Sequence, residues 1–419
     1  MSMKKLPQDD ATVIGAGIIG VCCALSLAER GINVTLIDPE PPCSLTSHGN
    51  AGVISPWSCV PQSIPGLWKS LPKWVLDPKG PVSIRKKYLL KFIPWAIKFL
   101  KAGNLSKLDY ISDAMLAISN NSVENYRNLL KGTGCVSLIK DAYYIHVYRN
   151  KGSAKLNELS WQLREKRQVP IELVDSNELQ KLEPNLSKAF KAAILIKGQG
   201  RATDPTLVGR AIFNKAISLK VNVINSKVHS FKPNSGNSFD IQLDNSLHKT
   251  KTIVIAAGVW SAKLLEPFNI KIPLESERGY HLVFKNPGIK INHSIMDTDR
   301  KCVASLMDNG VRIAGTAEFA GLNAPPDFKR AKIFKKIIKE IFPKINTLNT
   351  LEWMGSRPSF PDSLPCLGEI PSLPGVFAAF GHSHYGLSMA PNTGKIIADC
   401  VTNRKTDISL EPYRIDRFK

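Results

Sequence analysis

At 419 residues, with 43% hydrophobic and 22% charged content, the chain is long enough to bury a sizeable core and divide into two domains, and its composition excludes a disordered polymer. Fifty-six basic residues against 35 acidic give +21 and a pI near 9.6, which favours polyanions such as nucleic acid, anionic lipid or an acidic partner. Forty of the basic residues are lysines, point charges rather than the planar forks that base readers favour, so a solvated lysine-rich surface is the plainer reading and no nucleic acid is expected.

Eight cysteines occur without a Cys-x-x-Cys pair, and Cys22 and Cys23 are neighbours. No metal site is signalled, and the thiols read as reduced. Residues 1–10 lack signal-peptide form, so a cytoplasmic placement is expected. The apolar run 11–28 approaches the ~20 residues that a bilayer needs, but its glycines and turn chemistry argue against a span.

Ala11 to Ile14 runs into Gly15-x-Gly17-x-x-Gly20, and residues 21–29 have helical apolar spacing ending before Gly31. This is strand, tight turn and helix. Gly15 permits the turn, Gly17 lets the backbone approach a pyrophosphate at the helix N-terminus, and Gly20 lets the helix pack on the strand. Ile18 and Ile19 lie between the last two glycines and join the candidate contacts. A second short strand, 33–37, ends in Asp38, placed to accept hydrogen bonds from an adenosine ribose. Gly198-Gln199-Gly200 lacks a third glycine, so a single dinucleotide is expected.

Further along, Ser47-His48-Gly49-Asn50-Ala51-Gly52 is small and polar, suited to close approach by a flat ligand. Residues 85–101 mix aromatic, aliphatic and basic groups as an anionic membrane interface would. Pro94 is expected to prevent one straight helix there, and a packed segment of the second domain is the alternative. Helical spacing is read over 113–130 and 329–341, and strands over 143–148 and 281–284. Asp204-Pro205 opens a helix through residue 219, and residues 221–224 return as a strand. Residues 231–247 read as a polar hairpin rather than core. Thr252 to Ala257 is a buried strand whose end, at Gly258, faces a ligand.

The fingerprint together with Ser47-x-x-Asn50-Ala51-Gly52 resembles the FAD-dependent D-amino-acid oxidase superfamily, most closely its bacterial D-amino-acid dehydrogenase branch. Further similar motifs are Asp77-Pro78-x-Gly80-Pro81, Leu182-Glu183-Pro184, Asp204-Pro205, Glu277-Arg278-Gly279-Tyr280-His281, Gly355-x-Arg357-Pro358, Pro361-Asp362-x-x-Pro365-x-x-Gly368 and Gly381-His382-x-x-Tyr385-Gly386. The resemblance implies an α/β fold: a Rossmann-type FAD-binding domain (1–65, 195–268 and 350–419) beneath a discontinuous mixed-sheet α+β substrate domain (66–194 and 269–349).

It also implies roles. Arg357 is similar to the family's arginine for the substrate carboxylate, with Arg278 a weaker candidate and a surface pairing with Asp362 or Glu352 the alternative. Tyr280 and Tyr385 would wall the pocket. Ser47, His48, Asn50, Ala51, Gly52, Val228, Ala257, Gly258, Gly381, His382, Gly386 and Leu387 would hold FAD, with a helix over 391–398 whose dipole faces the flavin. Ser383 stands where relatives often have glycine. Monomeric sarcosine oxidases carry a lysine near Tyr385 and a flavin-linked cysteine at Gly355, so that subclass is disfavoured and non-covalent FAD is expected.

The implied activity is hydride transfer from a small amino acid, of D configuration, to flavin, giving an imino acid, then a 2-oxo acid and ammonia. Glycine or a cyclic amino acid such as a D-hydroxyproline is the nearest alternative substrate. Other readings are a tRNA-modifying FAD oxidoreductase and a flavoprotein subunit bound to a membrane or partner. The electron acceptor would be a quinone or electron-transfer partner, with peripheral association at the inner face of the cytoplasmic membrane.

Overall fold

The computed structural model describes residues 4–69, 74, 75, 77 and 80–418, with side chains in the first strand from Asp10 onward. Pro78 of the 77–81 motif lies outside the described residues.

Strand β1 (Lys4–Ile14) turns at Gly15 into helix α1 (Ile18–Ala28) and strand β2 (Val34–Ile37). Residues 11–14 and 34–37 are buried throughout, so both strands are covered on two faces and read as apolar runs rather than alternating patterns. Short strands β3 (Val53–Ile54) and β4 (Val82–Ile84) precede α2 (Leu89–Ala102), which runs without interruption through Pro94. The carbonyl that Pro94 leaves without its helical N–H belongs to Leu90, which is 83% exposed, so water replaces the lost bond.

The helical pattern over 113–130 resolves into α3 (Leu105–Ser119) and α4 (Ser122–Leu130). Asn121 between them is left-handed at φ 54°, a conformation that ends a helix. Strand β5 (Ile139–Tyr148), helix α5 (Leu159–Lys166), and strands β6 (Ile171–Asp175) and β7 (Ala192–Ala202) follow. Helix α6 (Pro205–Ser218) starts as read: the Asp204 carboxylate accepts from the N–H groups of Thr206 and Leu207 at 2.8 and 3.1 Å, a side-chain cap.

After β8 (Asn222–Ile224), strands β9 (Ser230–Asn234) and β10 (Ser238–Gln242) form the hairpin and lead to β11 (Ser246–Ile255). Contrary to the reading as non-core, Phe231, Phe239 and Ile241 are buried, because β10 pairs with β11 and turns its apolar side onto the cluster behind that strand. Strand β12 (Glu275–Phe284) is buried along its whole length. Strands β13 (Ser294–Asp297), β14 (Cys302–Met307), β15 (Gly310–Ala314) and β16 (Ala317–Phe319) lead to helix α7 (Phe334–Ile341).

The chain closes with β17 (Thr350–Ser359), β18 (Cys366–Ile370), β19 (Leu373–Phe380) and α8 (Gly386–Val401). Helix α8 begins before the expected residue 391 and carries Pro391 inside. The acceptor that Pro391 abandons, the Leu387 carbonyl, takes the Tyr126 hydroxyl at 2.7 Å instead, which lets the helix run through.

Among the described residues one sheet has eight strands, in the order β18-β19-β11-β1-β2-β8, with β10 on β11 and β9 on β10. Its β19, β11, β1, β2 and β8 are parallel, the open α/β arrangement in which ligands bind beyond the carboxyl ends of the strands. The other has eleven, β3-β7-β5-β13-β14-β15-β12-β16-β4 with β17 on β12 and β6 on β7. Both are mixed, and the fold is α/β with a mixed second sheet. Residues 53–54, 195–202 and 350–359, grouped above with the dinucleotide part, pair in the second sheet, so the chain crosses between sheets inside those stretches.

Candidate active site

A cavity of about 1450 Å³ is walled by both sheets. Single small-ligand sites occupy roughly 300–1,000 Å³, so this one has room for a dinucleotide and a substrate together. Gly15, Gly17, Ile18, Ile19 and Asp38 line one end. Gly15 is at φ +109°, and a Cβ at Gly20 would lie 1.8 Å from the Gly15 carbonyl oxygen; Gly20 therefore serves the close packing of α1 and does not reach the cavity. A Cβ at Gly17 would meet only Ser47 Oγ, at 3.5 Å, and would occupy the cavity itself.

Two side chains organise this turn. Asp38 Oδ2 accepts from the Ala16 N–H at 2.6 Å and Oδ1 from the Glu40 N–H at 2.8 Å. Burial pushes the Asp38 carboxyl up, and those two N–H groups oppose the shift. Ser47 Oγ accepts from the Ile18 N–H at 2.9 Å. Both residues thus shape the helix start as well as lining the cavity.

Asn50, Ala51, Val228, Ala257, Gly258, Gly381, His382, Gly386 and Leu387 also lie on the wall. His48 and Gly52 do not. His48 Nδ1 hydrogen-bonds Thr206 Oγ1 at 2.8 Å, and Gly52, at φ +79°, has the Ala202 carbonyl oxygen 2.6 Å from where a Cβ would stand; both support the loop from behind. Arg312 fixes that loop too, donating from Nη1 to the carbonyls of His48 and Asn50 at 2.7 and 2.6 Å. His382 is buried against Thr393 Oγ1 at 2.9 Å, and burial lowers it to about 3, so it stays neutral. Ser383 is held at φ 48°, which explains why glycine is the easier residue there.

Midway along, Trp353 stacks on His281 at 4.8 Å between ring centroids. A Cβ at Gly49 or Gly355 would fall 1.8 or 2.1 Å from the Trp353 ring. Position 355 thus has no space for any side chain.

The alternation of β12 sorts the remaining candidates. Glu277 and Gly279 face the cavity, so Arg278 and Tyr280 point the other way. Tyr280 is not a pocket wall: its hydroxyl donates to Glu318 Oε2 at 2.7 Å and accepts from the Asp327 N–H at 2.9 Å. Arg278 is buried beside the same Glu318, at 3.4 Å. Tyr385 does line the cavity, and its hydroxyl donates to the Val60 carbonyl at 2.9 Å.

Arg357 stands on the cavity wall over Gly279, where a Cβ would lie 2.2 Å from its guanidinium. Its Nη1 donates to Glu277 Oε1 at 2.9 Å and to the Thr316 carbonyl at 3.0 Å. Asp362 pairs with Arg417 instead, and Glu352 with Lys332. Glu277 also accepts from Ser359 Oγ at 2.9 Å and meets His384 Nε2 at 2.5 Å. Burial would raise the Glu277 carboxyl, but His384, Arg357 and Ser359 together hold it down at about 2. Glu277, His384 and Arg312 were missed by the sequence reading. Glu277 sits inside the quoted Glu-Arg-Gly-Tyr-His motif, but alternation from the expected wall residue Tyr280 leads to Arg278 instead.

A family model described as DAO, FAD dependent oxidoreductase, matches residues 10–400. The chain belongs to this family. It is 33% identical over 413 residues to a D-amino-acid oxidase of Bradyrhizobium diazoefficiens, covering 97% of this chain and 98% of the relative. In fold it is similar to L-proline dehydrogenase from P. horikoshii (TM-score 0.76, 22% identity, 99% and 98% of the two chains). It is also similar to glycine oxidase from Geobacillus kaustophilus (TM-score 0.73, 18% identity, 98% and 99%).

The residues present fit the FAD of this oxidoreductase family. The glycine turn leaves open space at Gly17, Asp38 closes the adjoining strand end, and the N-terminal residues of α8, Gly386 and Leu387, reach the cavity. Among the described residues no group of side chains suits a metal ion, and no helix is long and apolar enough to cross a membrane.

Proposed function

We propose that this oxidoreductase removes hydride from the α-carbon of an amino acid of D configuration, giving an imino acid that water converts to a 2-oxo acid and ammonia. The observation that carries the reading is Arg357, a guanidinium on the cavity wall oriented through one nitrogen by a buried, ionised Glu277. Its Nε and Nη2 edge is the fork that a substrate carboxylate needs. FAD supplies the two-electron acceptor when bound. The protein's own part is placement: Arg357 holds the carboxylate, Glu277 and the Thr316 carbonyl fix Arg357, and Tyr385, tied to Val60, closes the side of the pocket. The Trp353 ring packs against Gly49 and Gly355 on the cavity wall. Anaerobic mixing of the FAD-loaded protein with a panel of D- and L-amino acids, followed by flavin bleaching, tests the reading; bleaching by L-amino acids alone, or by none, refutes it.

The same reading extends to the electron acceptor. Helix α2 buries Phe92 and Trp95 against Phe319, and these aromatic residues line the cavity. Its other side exposes Leu90, Ile93 and Ile97, and residues 78–108 contain eight Lys or Arg and no acid. An apolar stripe on a helix whose own charged residues are all basic suits an anionic bilayer surface, and the acceptor is a quinone that enters at this aromatic end of the cavity.

A further inference from the structure

The cavity carries a second arginine that the reaction proposed above leaves without a partner. Arg164, on α5, reaches the wall beside Tyr144, His146 and Lys301. Its Nη1 donates to the Ser160 carbonyl at 2.8 Å, and its guanidinium lies over the Trp161 ring, 4.6 Å from the centroid. These contacts fix the side chain but leave its charge unbalanced. Among the described residues no carboxylate pairs with it. The ionisable groups that act most strongly on it are the Cys59 thiol and the phenols of Tyr385, Tyr144 and Tyr148, all neutral at pH 7.

The neighbours sharpen the imbalance. Arg164 Nε and Trp57 Nε1 are buried N–H donors with no acceptor, and His146 Nε2 is buried without a partner as well. His146 is kept neutral by burial, then by Arg164 and Lys301. The acids on the cavity wall are Asp38 and Glu40, at the dinucleotide end, and Glu277, which is engaged by Arg357. A buried guanidinium with an unpaired donor and no carboxylate partner is costly unless an anion completes it. Arg164, Tyr385, Glu277 and Arg357 all line this one cavity.

We propose that Arg164 receives a second carboxylate, on the side chain of the substrate, so that the preferred substrate is a dicarboxylic amino acid with its α-carboxylate at Arg357. This rests on amino-acid oxidation as the activity. It makes Arg164 the residue that sets specificity: a guanidinium aimed at a carboxylate rejects the amide isostere, because the buried charge is then left unpaired.

The test uses the FAD-loaded protein in two arms. In the first, D-aspartate is compared with D-asparagine and D-glutamate with D-glutamine by kcat/KM. The acids are expected to lead by roughly ten- to a hundredfold, and Arg164→Gln should remove that lead, lowering kcat/KM for the acids and raising it for the amides. In the second, glutarate and butyrate are titrated against the flavin absorbance; glutarate should bind at least about tenfold tighter, and only in the parent. Equal rates for acids and amides, or equal binding of glutarate and butyrate, overturns the proposal. So does an Arg164→Gln protein that keeps FAD but loses acidic and neutral substrates alike, since Arg164 would then hold the α-carboxylate. Should Arg164→Gln fail to retain FAD, Arg164→Lys, which keeps the charge, must preserve the acid preference. If no amino acid bleaches the flavin, the oxidation reading fails, while the glutarate titration still decides whether Arg164 is an anion receptor.

Discussion

Replacing Arg357 by leucine is the most informative perturbation, because the structure separates what the residue does for substrate from what it does for the fold. Two hydrogens of Nη1 are committed to Glu277 and Thr316, so the substrate fork is the Nε and Nη2 edge. Two charge-assisted hydrogen bonds at about 1.5–3 kcal/mol each, in a cavity that water partly enters, amount to about 3–5 kcal/mol of transition-state stabilisation. That corresponds to roughly a hundred- to several-thousand-fold in kcat/KM. Arg357→Leu also strands Glu277 in a buried site with only His384 and Ser359, an additional loss of stability. The double variant Arg357→Leu/Glu277→Gln removes the stranded charge and is expected to regain stability without regaining activity. Arg357→Lys should recover part of the rate, since an ammonium cannot reproduce the fork. Anaerobic stopped-flow reduction, measured beside flavin content and thermal melting, reads all three. An Arg357→Leu protein that keeps its flavin and oxidises D-amino acids within threefold of the parent refutes the reasoning.

Acid precipitation should give a colourless pellet and a yellow supernatant, because position 355 admits no side chain beside Trp353; a yellow pellet means a covalent flavin through another residue. On the membrane side, the protein should sediment with anionic vesicles at low salt and reduce quinones faster than oxygen, and Ile93→Glu/Ile97→Glu should abolish sedimentation while preserving substrate-driven bleaching; sedimentation unchanged by that variant removes α2 as the docking surface. Glu183 predicts a pH dependence of stability. It is fully buried, accepts from the N–H groups of Asn292 and His293, and burial raises its carboxyl from 4.5 to about 7. Between those values the folded protein holds a proton that the unfolded chain has lost, so stability falls as pH rises through this window, by about 3 kcal/mol at most. Glu183→Gln should flatten the decline in Tm between pH 5 and 8, and parallel curves for the two proteins contradict the assignment.

Local chemistry fixed much of the architecture before folding was considered. The Gly15-x-Gly17-x-x-Gly20 turn, the cap of Asp204 on α6 and the apolar runs 11–14 and 253–255 each show in a few neighbouring residues, so the sequence displays them directly. The two prolines inside helices could not be read this way. Pro94 is tolerated because the Leu90 carbonyl faces water, and Pro391 because Tyr126, 265 positions away in sequence, supplies the missing donor to Leu387. The site shows the same division. Arg357 and Tyr385 stand in motifs and lie on the cavity wall, whereas Tyr280 turns away from it, because only the folded cavity, lined by Glu277 and Gly279, shows which face of β12 meets it. Glu277 acquires its role from Arg357, Ser359 and His384, which lie 80 or more residues further on. Arg164 lies in no motif, and its charge is conspicuous only once folding has surrounded it with neutral groups. Backbone geometry and capping are short-range and therefore legible in one chain segment; the ionisation, orientation and partners of buried charges are set by residues distant in sequence, and tertiary structure alone brings those together.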